Sequence, residues 1–336
     1  MKSSSSLKDV AKKAGVGIGT ASRALNNKPL VKPETRKLVL DTAKELNYKA
    51  NSIAQGLKCN YTRTIGVIIP DIANDLYPEV VRGIEDVANH YNYAIFLCNT
   101  DQVKKKEINA LHMLKSKMVD GIIYVSDSNN NTLQNTFDEL GIPIVMISIQ
   151  NESCLLPSVA IDSENAAFIA VNYLCGLGHK KIAMITENLI DKNSGIPRIN
   201  GYKKALQEND ITPDEDMIYE GGCKFNDGYR SMLEILQGKE LPTAVFAASD
   251  VLAVGASRAI LEQGKRIPED ISIVGFGGSS SAEYFYPPIT TIEHPKHDMG
   301  KVGADLLKSI LANEKPEVIN IILNCKLIIR KSCMKI

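Results

Sequence analysis

The sequence predicts an α/β protein, with a small helix-turn-helix head joined by a linker to two doubly wound lobes of parallel sheet. Three observations carry that prediction. At 336 residues the chain is about twice an ordinary domain in length. Its first 48 residues hold three short helical periods. From Thr64 onward, strand-length apolar runs alternate with helix-length stretches, the pattern of parallel sheets with right-handed crossovers.

In LKDVAKKA, from Leu7 to Ala14, the residues Leu7, Val10, Ala11 and Ala14 recur at helical spacing. Gly15-Val16-Gly17 interrupts that period, and Ile18 to Leu25 resumes it. Two short helices across a tight glycine-containing turn form a helix-turn-helix. Pro33 at a first-turn position, Glu34 beside the positive helix end, and a stripe of Leu38, Ala43 and Leu46 signal a third helix. Three helices in about 45 residues enclose a very small core, suited to a tethered module. Beyond Tyr48, the polar and basic stretch NSIAQGLKCNYTRT reads as a linker with room for a helical turn or two around Ile53, Ala54 and Leu57.

Buried-strand runs then appear at 65–70, 93–98, 121–125, 143–149, 158–161, 181–186, 243–249 and 271–276. Helical stretches such as 77–91, 104–117, 164–177 and 251–263 lie between them. So many units exceed one ordinary sheet, so two lobes are expected, with ligands outside the carboxyl ends of the strands.

The 39 basic and 39 acidic residues cancel, and a net charge of zero argues on its face against nucleic acid. The average conceals an asymmetry. Residues 1–64 carry 13 Lys/Arg and 4 acids, a charge of +9, which leaves the rest at −9. A basic module on an acidic body points to a polyanion as the module's partner. Seven cysteines without a CxxC pair argue against a disulfide framework or structural zinc and fit a reducing compartment. The start MKSSSS lacks the apolar core of a secretory signal, and no run of about 18 apolar residues could span a bilayer. A soluble cytoplasmic protein with no membrane partner is expected. Five histidines (His90, His112, His179, His294, His297) show no metal-ligand spacing, and neither GxSxG nor a P-loop occurs. No catalytic residue, metal or cofactor is expected, and His179, in GLGHKKI before a strand, reads as structural.

In a helix-turn-helix the second helix enters the major groove with its first residues on base edges. Here these are Ile18 and Gly19, with Arg23 one turn further on. Arginine can bond guanine O6 and N7 together, which makes Arg23 the leading reader, while Ile18 offers apolar contact to a thymine methyl. The hydroxyls of Thr20 and Ser22 suit phosphate oxygens. Asn26, at the far end of that helix, joins the candidate contacts.

The stretches LKDVAKKAGVGIGTASRALNNK, VKPETRKLVLDTAKELNY, NSIAQGL and TIGVIIPDI closely resemble the lactose-repressor/galactose-repressor family of bacterial transcription regulators. The resemblance continues in order through GIEDVANHYNYAIFLCNTD, GHKKIAMIT, PTAVFAASDVLAVGA, IPEDISIVGFGG and PPITTI, covering essentially the whole chain. It implies a DNA-binding head at 1–48, a hinge helix at 49–61, and a two-lobed periplasmic-binding-protein-like core that dimerises. The N-terminal lobe would take 62–160 plus 293–320, and the C-terminal lobe 161–292 plus 321–336. It also implies that the hinge forms on operator DNA and pushes Leu57, followed by Lys58, into the minor groove as a wedge. Gly17 stands where a capping serine is usual and Gly56 where the hinge often has serine, so head and hinge are expected to order mainly on DNA.

By the same resemblance, the effector pocket takes Tyr77, Ser148, Asp162, Lys192, Arg198, Ser249, Asp250, Gly277 and His294. Arg198, in PRINGY, matches the family's effector-clamping arginine. Ser148 stands where an acid is frequent, and Ser249-Asp250 where Asn-Asp is usual. Gly277, the third residue of GFGG, stands where the family's GFDD turn has its first Asp, so an effector-bonding acid is missing. Arg198 with Lys192 and Lys296 near the rim suits an anionic effector, such as a sugar phosphate or sugar acid. The same residues are equally compatible with drift around a neutral sugar.

A repressor of a carbohydrate-utilisation operon is expected, reading pseudo-palindromic double-stranded DNA as a homodimer and switched by a small sugar-like effector. No leucine heptad follows the core, so a dimer is expected, not a tetramer. Two alternatives stand beside it. Catabolite control proteins resemble the core, notably in SVAIDSENAAFIAVNYL, and answer to a phosphorylated carrier protein. Where that branch docks its carrier with an aromatic residue and an arginine, this chain has His297 and Asp305, and a carboxylate repels phosphoserine. The other alternative is a cytoplasmic sugar-binding protein without operator function.

Overall fold

A computed structural model of the chain describes residues 5–48, 61–126, 133–148, 156–187, 194–238 and 240–336. The chain divides into two compact units, Met1–Thr62 and Arg63–Ile336.

The first unit consists of α1 (Leu7–Lys13), α2 (Ile18–Leu25) and α3 (Pro33–Glu45). A capping box starts α1: Ser6 Oγ accepts from the Asp9 amide, and the Asp9 carboxylate accepts from the Ser6 amide. Gly15, at φ +65°, turns the chain toward α2. Gly17 caps α2 with extended backbone and no side-chain hydrogen bond, as its lack of a hydroxyl requires. The buried centre is Val10, Ala11, Ala14, Ala21, Ala24, Val39 and Ala43. Side chains this small bury little apolar area, so polar clasps supplement them. Arg36 donates to Ala24 O (3.3 Å), Asn27 Oδ1 (2.6 Å) and Lys28 O (2.6 Å), fixing the α2–α3 connection. Lys13 and Glu45, 2.9 Å apart, tie α1 to α3. Leu38 does not lie on the buried stripe; it is 52% exposed. The inward positions are Val39, Ala43 and Leu46, whose spacing is helical where that of Leu38 and Ala43 is not.

The second unit holds two six-stranded sheets. The first contains β1 (Thr64–Ile69), β2 (Ala94–Asn99), β3 (Gly121–Val125), β4 (Ile144–Ile147), β5 (Ser158–Ile161) and β11 (Asn320–Leu323). Their order is β11-β5-β4-β3-β1-β2, all parallel. The second contains β6 (Ile182–Thr186), β7 (Ile218–Glu220), β8 (Ala244–Ala247), β9 (Ser272–Gly277), β10 (Thr290–Glu293) and β12 (Lys326–Ile328). Their order is β12-β10-β9-β8-β6-β7, parallel except that β12 runs against β10. Each sheet is doubly wound, with its strand order reversing between β1 and β3, and between β6 and β8.

Helices α4 (Leu76–His90), α5 (Lys104–Ser116), α6 (Gln134–Leu140) and α12 (Lys296–Leu311) cover the first sheet. Helices α7 (Ser163–Gly176), α8 (Gly195–Glu208), α9 (Phe225–Gln237), α10 (Asp250–Glu262) and α11 (Ser280–Tyr284) belong to the second. Both faces are buried: along β1, Val67 and Ile69 join one apolar cluster with α4 and α12, and Ile68 joins another with α5 and α6. α4 and α12 meet backbone to backbone, since a Cβ on Gly83 would stand 2.0 Å from His297 O, and one on Gly300 2.0 Å from Val80 O.

The run 93–98 reads as a buried strand, yet β2 is an edge, with Phe96 45% and Leu97 40% exposed. The chain crosses between lobes after Ile161, after Glu293 and at 324–325. Each crossing lies one to a few residues beyond the expected boundary, because the strand that reaches it completes its ladder first. A C-terminal strap lies across the second lobe: Ser332 O accepts from Ile273 N, and Ile336 N donates to Leu177 O. His179, 1% exposed, clasps that strap, with Nε2 donating to Met334 O (3.1 Å) and Nδ1 accepting from the Thr243 hydroxyl (2.9 Å). Burial lowers its pKa. Among the described residues, no helix is long and apolar enough to cross a membrane, and no His, Cys, Asp and Glu cluster could hold a metal.

Candidate DNA-reading surface and effector cleft

On the head, α2 presents Ile18, Gly19, Arg23 and Asn26 to solvent, and Thr20 and Ser22 are half-buried. A Cβ at Gly19 would lie 3.7 Å from Arg23 Nη2, so the guanidinium lies back along the helix over the bare residue. Ile18 and Arg23 thus share one exposed edge. Asn26 is less free, because its amide donates to Ser22 O at 2.8 Å and closes the helix end. Leu57 and Lys58 lie outside the described residues.

In the core, the candidate pocket residues gather at the carboxyl ends of the strands, where a doubly wound sheet receives ligands. Arg198, in the first turn of α8, is 9% exposed. Its Nη1 donates to Ala248 O at 2.8 Å and to Glu187 Oε2 at 3.3 Å. Its guanidinium carbon lies 4.3 Å from the centre of the Phe276 ring, in cation–π range. His294 packs against the same ring edge-to-face, with centroids 4.8 Å apart. Among the described residues, Arg198 Nε and His294 Nε2 are buried without a hydrogen-bond partner. Burial, with the charges of Arg198 and Lys296, pushes the His294 pKa down to about 3, so the ring is neutral at physiological pH.

Ser249 caps α10, its hydroxyl accepting from the Leu252 amide at 3.4 Å. Asp250, 2% exposed, turns inward: its carboxylate accepts from the Ser279 amide and from the Thr291 hydroxyl, both at 2.6 Å. Burial raises its pKa, against those hydrogen bonds and the charge of Lys296. The GFGG turn fits around this carboxylate. A Cβ at Gly275 would stand 2.3 Å from Asp250 Oδ1, while Gly277 and Gly278 take φ values of +132° and +67°. Lys296 is not a rim lysine: it is 3% exposed, and its ammonium donates to Glu79 Oε1 (3.2 Å) and Gly278 O (3.1 Å). Two carbonyl and carboxylate oxygens at that distance repay its burial.

The first lobe's candidates play quieter parts. Tyr77, 1% exposed, packs into the core from the first turn of α4. Ser148, at φ +71°, donates its amide to Val159 O at 2.9 Å. Asp162 is exposed and caps α7, accepting from the Asn165 amide at 2.9 Å. Lys192 lies outside the described residues. The structure therefore brings Arg198 and His294 onto one ring, and Ser249, Asp250 and Gly277 into one turn. Phe276 and Glu187 were not read from the sequence; the available signal was their position at the carboxyl ends of β9 and β6. Beside the crossings opens a recess of ≈ 200 Å³ lined by Glu79, Glu293, His294, Lys296, Asn324 and Lys326.

Comparison with known proteins agrees with this architecture. Residues 6–51 match the model for bacterial regulatory proteins of the lacI family, and 171–333 that for a periplasmic binding protein-like domain. The chain is 44% identical over 331 residues to HTH-type transcriptional regulator RegA of Clostridium acetobutylicum, covering 98% of this chain and 99% of that one. It is 37% identical over 306 residues to catabolite control protein A of Priestia megaterium, covering 91% and 92%. The crystal structure of the lac repressor dimer bound to operator and the anti-inducer ONPF superposes with a TM-score of 0.90 at 27% identity, covering 99% and 100%. The chain belongs to the lacI family of bacterial regulatory proteins, and it is a DNA-binding regulator of transcription.

Proposed function

We propose that the core cleft binds a neutral polyhydroxylated effector, a sugar or sugar derivative, without chemical turnover, and that its occupancy sets the affinity of paired heads for a pseudo-palindromic operator. The charge balance of the cleft carries this reading. Arg198 already faces Glu187, Lys296 faces Glu79, and His294 is neutral. The excess of positive charge that an anionic effector would use is therefore absent from these pairs. A hydroxyl both donates and accepts, so it suits the Arg198 Nε–H donor and a neutral imidazole nitrogen together. The related lac repressor dimer, bound to operator and an anti-inducer, supports DNA and a small molecule as partners and a homodimer here. In the head, Arg23 and Ile18 read bases, Thr20 and Ser22 hold phosphates, and Leu57 with Lys58 enters the minor groove. A role on chromosomal operators calls for a cytoplasmic protein, which is part of the same reading.

A phosphorylated carrier protein is the weaker reading. Asp305 is exposed on α12, and His297 is engaged by Asp86 at 2.9 Å, so that face offers a phosphoserine a carboxylate and no free cation at these positions.

The test has two parts. Genome-wide footprinting identifies the operator, and Arg23→Ala is expected to weaken operator binding by roughly 10- to 100-fold. Calorimetry then compares neutral sugars with their phosphorylated counterparts. Tighter binding of the phosphorylated partner would overturn the neutral reading. A shift in operator affinity with phosphorylated carrier protein alone would replace it.

A further inference from the structure

Lys296 opens α12 in the first lobe, three positions after β10 ends in the second. Its ammonium reaches Glu79 on α4, also in the first lobe, and Gly278 O in the second lobe's turn. Since α4 and α12 touch backbone to backbone at Gly83 and Gly300, Glu79 and Lys296 belong to one rigid block. Relative motion of the lobes therefore falls on the bond to Gly278.

The turn that receives this bond has little slack. Its far side is held by Asp250 through Ser279 N, and Gly278 N donates to Thr291 Oγ1 at 3.3 Å. A Cβ on Gly278 would stand 2.9 Å from Glu293 Cα. One short stretch of backbone thus lies between a buried carboxylate and a buried ammonium, and Gly277, at the candidate effector position, is part of it. We infer that Lys296 is a positioning residue that couples lobe closure to the effector-facing turn, through its bridge from Glu79 to Gly278 O.

The bridge is built to open. A buried ammonium is costly without partners, and here each lobe supplies one of the two. The ≈ 200 Å³ recess beside Lys296 admits water to the ammonium when Gly278 O withdraws, so opening leaves no bare charge. Two arrangements near one pivot, one bonded to Gly278 O and one hydrated, make a bistable element that lobe motion reads. The role holds whatever the effector is, so its failure and the failure of the neutral-sugar reading are separate results.

The test uses the full chain without ligand. Lys296→Met removes the ammonium at similar volume. Glu79→Ala removes its first-lobe anchor from a side chain that is 57% exposed, so it decides the matter if the first variant fails to fold. Hydrogen exchange follows the Gly278 and Ser279 amides. Pulsed electron paramagnetic resonance measures the inter-lobe distance between labels on non-natural side chains at Lys105 and Glu234, both exposed. The expected result is exchange about tenfold faster at the turn, the factor one charge-assisted hydrogen bond contributes, together with a broader and longer distance distribution. Faster exchange with the wild-type distance distribution would reduce Lys296 to a local prop and overturn the coupling role. Unchanged exchange in a folded variant would overturn it as well.

Discussion

The two lobes share one strand order and differ in what they bury. At the carboxyl ends of the second sheet lie Arg198, Asp250 and Thr291, joined by hydrogen bonds to a strand end and to the GFGG turn, and His294 against the Phe276 ring. The corresponding ends of the first sheet carry Tyr77 in the core, Ser148 in a backbone ladder and Asp162 as a helix cap. Of its buried charges, Lys296 opens α12 at the crossing and Glu107 sits on α5, where burial raises its pKa against a hydrogen bond from Tyr124. One topology thus carries a cluster of buried polar groups at its strand ends in one copy and backbone ladders and a helix cap in the other. Topology places strand ends together; side chains decide which lobe does chemistry with them.

Asp250→Ala sets the largest expected contrast. It strands the Ser279 amide and Thr291 hydroxyl, so the core should lose about 3 kcal/mol in urea unfolding. A loss below about 1 kcal/mol would erase the claim that the second lobe depends on buried polar chemistry.

Acid sensitivity comes next. The His294 pKa is about 3 in the fold, below its ordinary value, so between there and pH 6.5 the unfolded chain binds a proton that the folded chain refuses. Stability present above pH 6.5 is lost as pH falls, by about 2 kcal/mol at pH 5. Glu107 has the opposite sign: its raised pKa gives stability at low pH that is lost as pH rises through the folded value. Unfolding at pH 5 and 7.5 should show a flatter profile for His294→Gln and a steeper acid loss for Glu107→Gln.

Ligand binding should divide the lobes more modestly. Arg198→Ala is expected to weaken binding of a neutral sugar identified by calorimetry by roughly 10- to 100-fold, and Ser148→Ala by less than about tenfold. Equal losses would place recognition in both lobes. The smallest effects belong to surface pairs. Arg82→Ala on the first lobe and Arg258→Ala on the second should each shift stability by no more than about 0.5 kcal/mol, because both arginines are more than half exposed. A large difference between them would mean that the lobes differ outside their buried groups too.

Much of this contrast was legible along the chain. The strand runs from IGVIIP to ISIVGF stand out because parallel strands buried on both faces read as continuous apolar segments. The head was legible because two helical periods broken at Gly15-Val16-Gly17 leave few alternatives, whereas Arg198 and His294 were singled out only through the family pattern. The edge position of β2 was not, since YAIFLC is as apolar as a central strand and only the sheet order exposes Phe96 and Leu97. Lys296 was the sharpest departure. A lysine in HPKHD reads as solvated, because lysine seldom enters a core unless paired.

The sequence by itself determined the head, the two doubly wound lobes and the family, because local periodicity and ordered motifs are properties of neighbours in the chain. Only the tertiary structure decided that Asp250 faces the turn, that Lys296 is buried, and that Arg198 and Lys296 each face a carboxylate. Lys296 and Glu79 lie 217 residues apart, and Asp250 and Thr291 lie 41 apart. Pairing between such distant side chains depends on how helices and crossings pack, which no local pattern encodes.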